Sequence, residues 1–164
     1  MGIFNAIDTS ASGLTAQRLR LDLISNNVAN INTTRTAQST AAGNPIPYQR
    51  QVAVFVPRPP ENTFSSVLNQ TLALNNANSV GRGVEVAAIG QDTTPFRLEY
   101  NPDSPDAAKT AEAGIPVGYV RMPNVNIVTE MVDMISASRA YEANVTALNA
   151  SKSMMVKALD IGKG

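Results

Sequence analysis

The sequence comprises 164 residues, with 13 basic and 13 acidic side chains and a formal net charge of zero. A neutral chain is not predicted to bind nucleic acid or anionic lipid. The chain contains neither His nor Cys, which excludes imidazole bases, thiol nucleophiles, disulfides and the usual zinc sites. Only 5% of the residues are aromatic, whereas Ala and Asn are abundant. This composition favours a chain that completes its hydrophobic core with neighbouring subunits.

The distribution of proline divides the chain into three zones. All ten prolines lie between Pro45 and Pro123, and proline interrupts helix interiors. We therefore predict an α+β fold with an N-terminal helix over 1–34, a β-rich middle domain over 35–123 and a C-terminal helix over 124–164.

The middle zone is predicted to contain three strands, because apolar residues alternate with polar ones in short runs. The candidates are Tyr48–Val56, Gly83–Ile89 and Phe96–Tyr100, the last of which is expected to be half-buried. A segment near 57–81 is rich in Pro and Asn and shows no such alternation, and Ala107–Gly118 is interpreted as a linker.

The first helical zone has an apolar residue at every seventh position. Ile7, Leu14, Leu21 and Val28 form one row, and Ile24 belongs to the neighbouring row. Two such rows are typical of a helix that packs against another helix as in a coiled coil.

Asparagines are concentrated at the end of this helix, at Asn26, Asn27 and Asn30. Asn side chains compete for backbone hydrogen bonds, so one interpretation is a helix that frays at its C-terminus. The alternative is a polar layer that bonds to a partner helix and fixes the register of the pair.

The C-terminal zone shows the same pattern over five heptads. Pro123, followed by Asn124 and Asn126, predicts a helix that begins shortly afterwards with an Asn cap. The two rows of the helix comprise Ile127, Met134, Tyr141, Leu148 and Met155, and Met131, Ser138, Val145, Lys152 and Leu159.

The two terminal helices are predicted to pair as a coiled-coil-like antiparallel hairpin. Their apolar stripes are wider than a two-helix hairpin covers, so the remainder is expected to contact other subunits. The predicted subunit-interface residues are Ile7, Leu14, Leu21, Ile24, Asn26, Asn27, Val28, Asn30, Ile127, Met131, Met134, Tyr141, Val145, Leu148, Met155 and Leu159.

No group of residues predicts catalysis, cofactor binding or metal binding. Asp103 and Asp106 could suggest Ca²⁺, but no liganding loop surrounds them and a turn is favoured. Glu130 and Asp133 share one face of the predicted helix, which we interpret as a solvated face. The longest apolar run, Val52–Val56, is too short to span a membrane, so no direct membrane insertion is expected.

Several segments resemble the bacterial flagellar basal-body rod protein family. Ser12–Arg20 and Ile24–Asn30 are similar to the N-terminal signature of rod and hook proteins. Tyr100–Ala107, Gly118–Asn126 and Glu130–Asn144 resemble the proximal-rod members of the family. The resemblance implies that the segment near 57–81 is an insertion relative to shorter members.

The resemblance implies a structural subunit of the rod, which transmits torque across the periplasm for motility. It implies type III export without a cleaved signal peptide, and the start of the sequence is not typical of such a signal. The implied partners are copies of the chain, other flagellar rod proteins, a basal-body adaptor and the flagellar export apparatus. Two alternatives remain: another flagellar axial protein of the rod or hook type, or a secreted coiled-coil effector that does not polymerise.

Overall fold

The computed structural model describes residues 3–58, 82–112 and 114–163. Within these residues the chain forms two long helices and four strands, which confirms the predicted α+β class. Most of the predicted insertion near 57–81 lies outside the described residues. In chain order the elements are α1 (Ile3–Ala29), β1 (Gln51–Pro57), β2 (Val84–Gln91), β3 (Arg97–Tyr100), β4 (Tyr119–Met122) and α2 (Ile127–Lys163).

Helix α1 ends among the asparagines that the sequence singles out. The carbonyl of Asn26 accepts hydrogen bonds from the backbone N–H of Asn30 at 3.1 Å and from its side-chain amide at 2.9 Å. A side chain that occupies a helical carbonyl competes with continuation of the helix. The helix therefore ends at Ala29, before the boundary predicted for the N-terminal zone.

Helix α2 begins with the predicted Asn cap. Oδ1 of Asn126 accepts a hydrogen bond from the backbone N–H of Val128 at 3.0 Å, so it satisfies a donor that the first turn leaves free. Pro123 precedes the cap, and the helix that follows contains no proline. These features explain why α2 extends for 37 residues.

The chain is divided into two compact units, and both helices contribute to each. The first unit comprises Met1–Leu19, Val54–Ala88 and Ala137–Gly164. The second comprises Arg20–Ala53 and Ile89–Ser136.

In the first unit, α1 and α2 approach each other closely at Gly13. A Cβ atom on Gly13 would lie 3.0 Å from Nδ2 of Asn144, which itself donates to the carbonyl of Ala140 at 2.9 Å. The buried residues of the two helices here include Ala16 and Ala137. Small side chains therefore allow the two backbones to come close together.

Gly83, just before β2, is another position in this unit where a side chain would not fit. Its φ is +83°, and a Cβ atom would lie 2.1 Å from Oγ of Ser12. That hydroxyl accepts from the backbone N–H of Val84 at 3.1 Å and donates to the carbonyl of Thr9 at 2.7 Å. Ser12 thereby attaches the start of β2 to α1.

The strands form two sheets of two strands each, one of β1 with β2 and one of β3 with β4. In the second sheet the strands are antiparallel, with Arg97 opposite Met122 and Tyr100 opposite Tyr119. The rings of Tyr100 and Tyr119 lie 5.1 Å apart, a distance at which aromatic pairs attract each other.

The prediction of a linker at Ala107–Gly118 was wrong for its first residues. Ala107 and Ala108 are buried, and Ala108 exchanges backbone hydrogen bonds with Tyr119 and Gly118 at 2.9 and 3.0 Å. The sequence did not indicate β4, because its four residues follow a turn-rich segment and show little alternation.

The strand predicted at Phe96–Tyr100 is confirmed as β3, but the prediction that it is half-buried was wrong. Leu98 and Tyr100 are both exposed, whereas Val120 on the paired strand β4 is buried. No second layer covers the Leu98 face among the described residues, so the alternation in β3 does not correspond to burial within the subunit.

Gly83→Ala tests the contact between α1 and β2. We expect a loss of stability larger than the roughly 1–2 kcal/mol that a left-handed backbone costs an L-residue, because Ser12 must also move and lose its bond to Val84. Gly43→Ala is the matched control, since Gly43 has a φ of +79° with open space around its Cβ position. Urea unfolding followed by circular dichroism measures both; equal losses would contradict the steric argument.

Candidate functional site

A polar network in the second unit is centred on Arg50, which directly precedes β1. Its guanidinium donates to Oε1 of Glu130 at 2.6 Å, to Oδ2 of Asp133 at 3.2 Å and to Oδ2 of Asp92 at 3.4 Å. The other oxygen of Asp133 accepts from Arg20 on α1 at 3.0 Å. One side chain therefore connects α2 to the segment after β2, and Asp133 extends the connection to α1.

Asn27 continues this network on α1 and is almost completely buried, with 1% of its surface exposed. Its amide donates to Oε2 of Glu130 at 3.1 Å and to the carbonyl of Gln51 at 2.9 Å. Its Oδ1 accepts from the backbone N–H of Gln51 at 2.9 Å and from the hydroxyl of Tyr48 at 2.8 Å. The side chain of Asn27 thus bonds to both the N–H and the carbonyl of Gln51 in β1, as the backbone of a paired strand would. It also bonds to Glu130 of α2.

Asn124, in the segment before α2, attaches that segment to the strands. Its Oδ1 accepts from the backbone N–H of Arg50 at 2.8 Å. Its amide donates to the carbonyls of Asp92 at 3.0 Å and Thr94 at 3.1 Å. The hydrogen bonds of Asn124 therefore attach the residues before α2 to the backbone of Arg50 and to the segment that follows β2.

The network changes the ionisation of three of its members. Burial alone would lower the pKa of Arg50, but the hydrogen bond and the negative charge of Glu130, together with Asp92, raise the pKa above its ordinary value. Hydrogen bonds from Thr94 lower the pKa of Asp92, with Arg50 contributing less. Burial, followed by the charge of Glu130, raises the pKa of the Tyr48 phenol.

The interpretation of Glu130 and Asp133 as a solvated face was therefore wrong. Glu130 is 0% exposed, and both of its carboxylate oxygens have hydrogen-bond partners. A buried carboxylate is strongly unfavourable unless it is paired, and Arg50 and Asn27 supply the partners. No local pattern indicates this, because Arg50 lies 80 residues away in sequence.

The face of α2 that packs towards α1 also differs from the predicted rows. The helices contact each other in each unit, through Gly13 with Asn144 in the first and Asn27 with Glu130 in the second. The inner face of α2, which we call the helix seam, consists of small or polar residues at every seventh position: Glu130, Ala137, Asn144 and Ser151. The predicted apolar rows lie beside this seam rather than in it.

The structure places the sixteen predicted interface residues in three environments. Ile24 and Asn27 are buried within the subunit. Nine are half-buried: Ile7, Leu14, Leu21, Val28, Asn30, Met134, Val145, Leu148 and Met155. Five are exposed: Asn26, Ile127, Met131, Tyr141 and Leu159.

The two interpretations of the asparagine segment each describe part of it. Asn27 bonds to a helix, as the polar-layer interpretation requires, and that helix is α2 of the same chain. Asn26 and Asn30 instead bond to each other at the end of α1, as expected for a terminating helix.

The second unit presents an apolar surface on the outer side of α2. Four large side chains at spacings of one helical turn are each more than half exposed. We call these residues, Val128, Met131, Val132 and Ile135, the apolar strip. The predicted interface residues include Met131, and the other three flank the predicted rows. Apolar residues that repeat on a helix face without being covered are typical of a binding surface for another helix.

The described residues contain no arrangement suited to a metal ion. No group of three or more acidic side chains is suitably placed among residues 3–58, 82–112 and 114–163. Asp106 is instead paired with Arg35 at 2.6 Å and accepts from the hydroxyl of Thr34 at 2.6 Å, so it attaches the predicted turn to the segment after α1. In the same part of the chain, neither helix has a stretch that is apolar enough to span a bilayer.

Glu130→Ala tests the network directly. Removal of one partner leaves Arg50 and Asn27 without their acceptor, so we expect a loss of about 3–5 kcal/mol in the free energy of unfolding. The exposed pair Arg139–Glu142 provides the control: Glu142→Ala should change stability by no more than about 1 kcal/mol. Urea unfolding measures both, and similar small losses would show that Glu130 is not a stability determinant.

The raised pKa of Tyr48 predicts a pH dependence at the alkaline end. Because the fold favours the neutral phenol, Tyr48 stabilises the protein below its unfolded pKa of about 10. That stability is lost as the pH rises through the folded pKa. The tyrosinate absorbance that disappears in Tyr48→Phe should titrate at higher pH in the native protein than in urea. Titration at the same pH in both conditions would contradict the prediction.

Comparisons with known proteins agree with this architecture. Residues 7–36 match the family described as flagella basal body rod protein, and residues 117–161 match the one described as flagellar basal body rod FlgEFG protein C-terminal. The flagellar basal-body rod protein FlgC of Borreliella burgdorferi is 47% identical over 164 residues, covering 100% of both chains.

Two further relatives are the FlgC proteins of Bacillus subtilis, 45% identical, and Escherichia coli O6:H1, 37% identical. Each alignment covers 99% of this chain and 100% of the relative. Identity at this level over the full length of the relatives extends through both helices and the strands between them. The chain therefore belongs to the FlgC family of flagellar basal-body rod proteins.

Proposed function

We propose that the chain, a structural subunit of the flagellar basal-body rod, self-assembles through its terminal helices and transmits torque across the periplasm. The observation that carries the proposal is the apolar strip on α2. The seam between α1 and α2 is already formed within the subunit, so the strip is available to a neighbour. Filament-forming contacts require such a free surface on each subunit.

The energetics favour burial of the strip. Full burial of a Val, Ile or Met side chain contributes about 1.5–3 kcal/mol. The four side chains of the strip are each more than half exposed, so association has several kcal/mol to gain from them. That gain offsets part of the entropy that a subunit loses on docking.

The Arg50 network supports the mechanical part of the proposal. Torque deforms a subunit more easily when its elements are joined only by non-directional apolar contacts than when directional hydrogen bonds join them. Arg50, Glu130 and Asn27 fix α1, α2 and β1 relative to one another within the second unit through short hydrogen bonds. Removal of any of these bonds should therefore weaken the rod as well as the subunit.

The proposed partners are copies of the chain, other rod proteins and a basal-body adaptor. The proposed route to the periplasm is the flagellar export apparatus, without a cleaved signal peptide. We assign the chain no catalytic role, in keeping with its lack of His and Cys.

Val132→Asp tests assembly through α2. Val132 is 62% exposed, so the variant should fold and melt like the wild type. A carboxylate desolvated in an apolar contact is unfavourable, so rods and motility should be lost. Asn149→Asp is the control, because it adds the same charge at an exposed polar position of α2 and should leave cells motile.

Electron microscopy of basal bodies and swimming assays read out both variants. Normal rods with Val132→Asp would exclude this face of α2 from the interface. Recovery of the wild-type chain only in the secreted fraction, and never in basal bodies, would favour a non-polymerising effector instead.

A further inference from the structure

The apolar strip continues into a groove at the start of α2. The groove has a volume of about 450 Å³ and is lined by Ile31, Pro95, Val125 and Ile127, among others. Ile127 belongs to the groove and lies one helical turn from Met131 of the strip. The two features thus form one apolar surface, all of it within the second unit.

Among the described residues, a single cation lines this groove. Arg97, on β3, is exposed, and among the described residues it has no ion pair or side-chain hydrogen bond. The network arginines Arg20 and Arg50 each bind at least one carboxylate, so Arg97 differs from them. An unpaired guanidinium beside an apolar groove predicts an occupant that brings a carboxylate next to apolar side chains.

The chain itself carries a segment with these properties at the end of α2. In the first unit, Met154 and Ile161 are exposed by more than half, and their spacing of seven residues places them on one face of the helix. Asp160, next to Ile161, is exposed, and its side chain has no ion pair or hydrogen bond in the described part of the chain. Met154–Ile161 spans about 10 Å of helix, the same length as Val128–Ile135.

We infer that the end of α2, residues 154–161, of one copy docks on the apolar strip and groove of a second copy, with Asp160 of the first copy facing Arg97 of the second. This contact rests on the proposed function and specifies its partner and its residues. It buries Met154 and Ile161 against the strip and groove, and it pairs two charges that are unpaired among the described residues.

The two surfaces are different parts of the same chain, so the contact is heterologous. A heterologous contact leaves a free strip at one end and a free helix end at the other, and growth continues unless a ring closes. A symmetric contact of strip against strip would instead close a dimer. It would also bring two Arg97 guanidinium groups into one interface, with no carboxylate in the strip to balance them.

The absence of cysteine allows a direct test by disulfide crosslinking. Met131→Cys and Ile161→Cys, combined in one chain and expressed in cells lacking the wild-type chain, should give disulfide-linked dimers and longer species when basal bodies are oxidised. Each single variant should give only monomer. Thr146→Cys combined with Ile161→Cys is the matched control, because Thr146 is an exposed polar residue of α2, and it should give only monomer.

Three results would overturn the inference. These are assembled rods with no crosslink in the double variant, equal crosslinking in the Thr146 control, and crosslinking by Met131→Cys alone, which would indicate the symmetric contact. If the double variant does not assemble, charge exchange decides the question. Arg97→Asp and Asp160→Arg should each reduce swimming and rod yield several-fold, and their combination should restore both.

Failure of the combination to restore rods would also overturn the contact. Failure of the proposed function is distinguishable from either result, because the wild-type chain would then be missing from purified basal bodies. If the wild-type chain is present in basal bodies but neither the crosslink nor the charge rescue is observed, the proposed rod function stands and only this contact is excluded.

Discussion

The fold depends on the need to neutralise one buried carboxylate. Glu130 is inaccessible to water, and its two oxygens bind the guanidinium of Arg50 and the amide of Asn27. The three residues come from α2, the segment before β1, and α1, so the bonds that satisfy Glu130 also bring these elements together. Such pairs contribute little net stability compared with an apolar core, but their loss is costly because it leaves a charge buried alone. The pair therefore specifies an arrangement more than it stabilises a fold.

The contact between the two helices also uses few large apolar side chains. The helix seam is made of Glu130, Ala137, Asn144 and Ser151, opposite small residues such as Gly13 and Ala16. Close backbone approach and hydrogen bonds hold this seam, and the large side chains beside it, such as Met134 and Leu148, are half-buried. The four residues of the apolar strip remain on the outer side of α2, where each is more than half exposed. A subunit that polymerises requires this division, since its strongest apolar contacts must form between copies rather than within one.

Different parts of the molecule thus determine the arrangement within a subunit and the strength of association between subunits. Directional polar bonds determine how α1, α2 and the strands of the second unit are arranged. The uncovered apolar strip and the unpaired Arg97 and Asp160 provide the association that we propose for the rod. A polymer under torque benefits from the combination, because directional bonds resist shear within a subunit while apolar burial holds subunits together.

The sequence by itself determined the helices and the family. Proline confined to Pro45–Pro123, heptad spacing and the Asn126 cap predicted α1 and α2, and the terminal motifs indicated the rod proteins. It did not determine which face of α2 is buried, because an apolar row looks the same whether it meets its own chain or a neighbour. It also did not reveal the Arg50–Glu130 pair or strand β4. Burial of Glu130 depends on a partner 80 residues away, and β4 exists only because β3 pairs with it. Tertiary structure decided these points, since buried charges and short strands are stabilised by partners that no local pattern encodes.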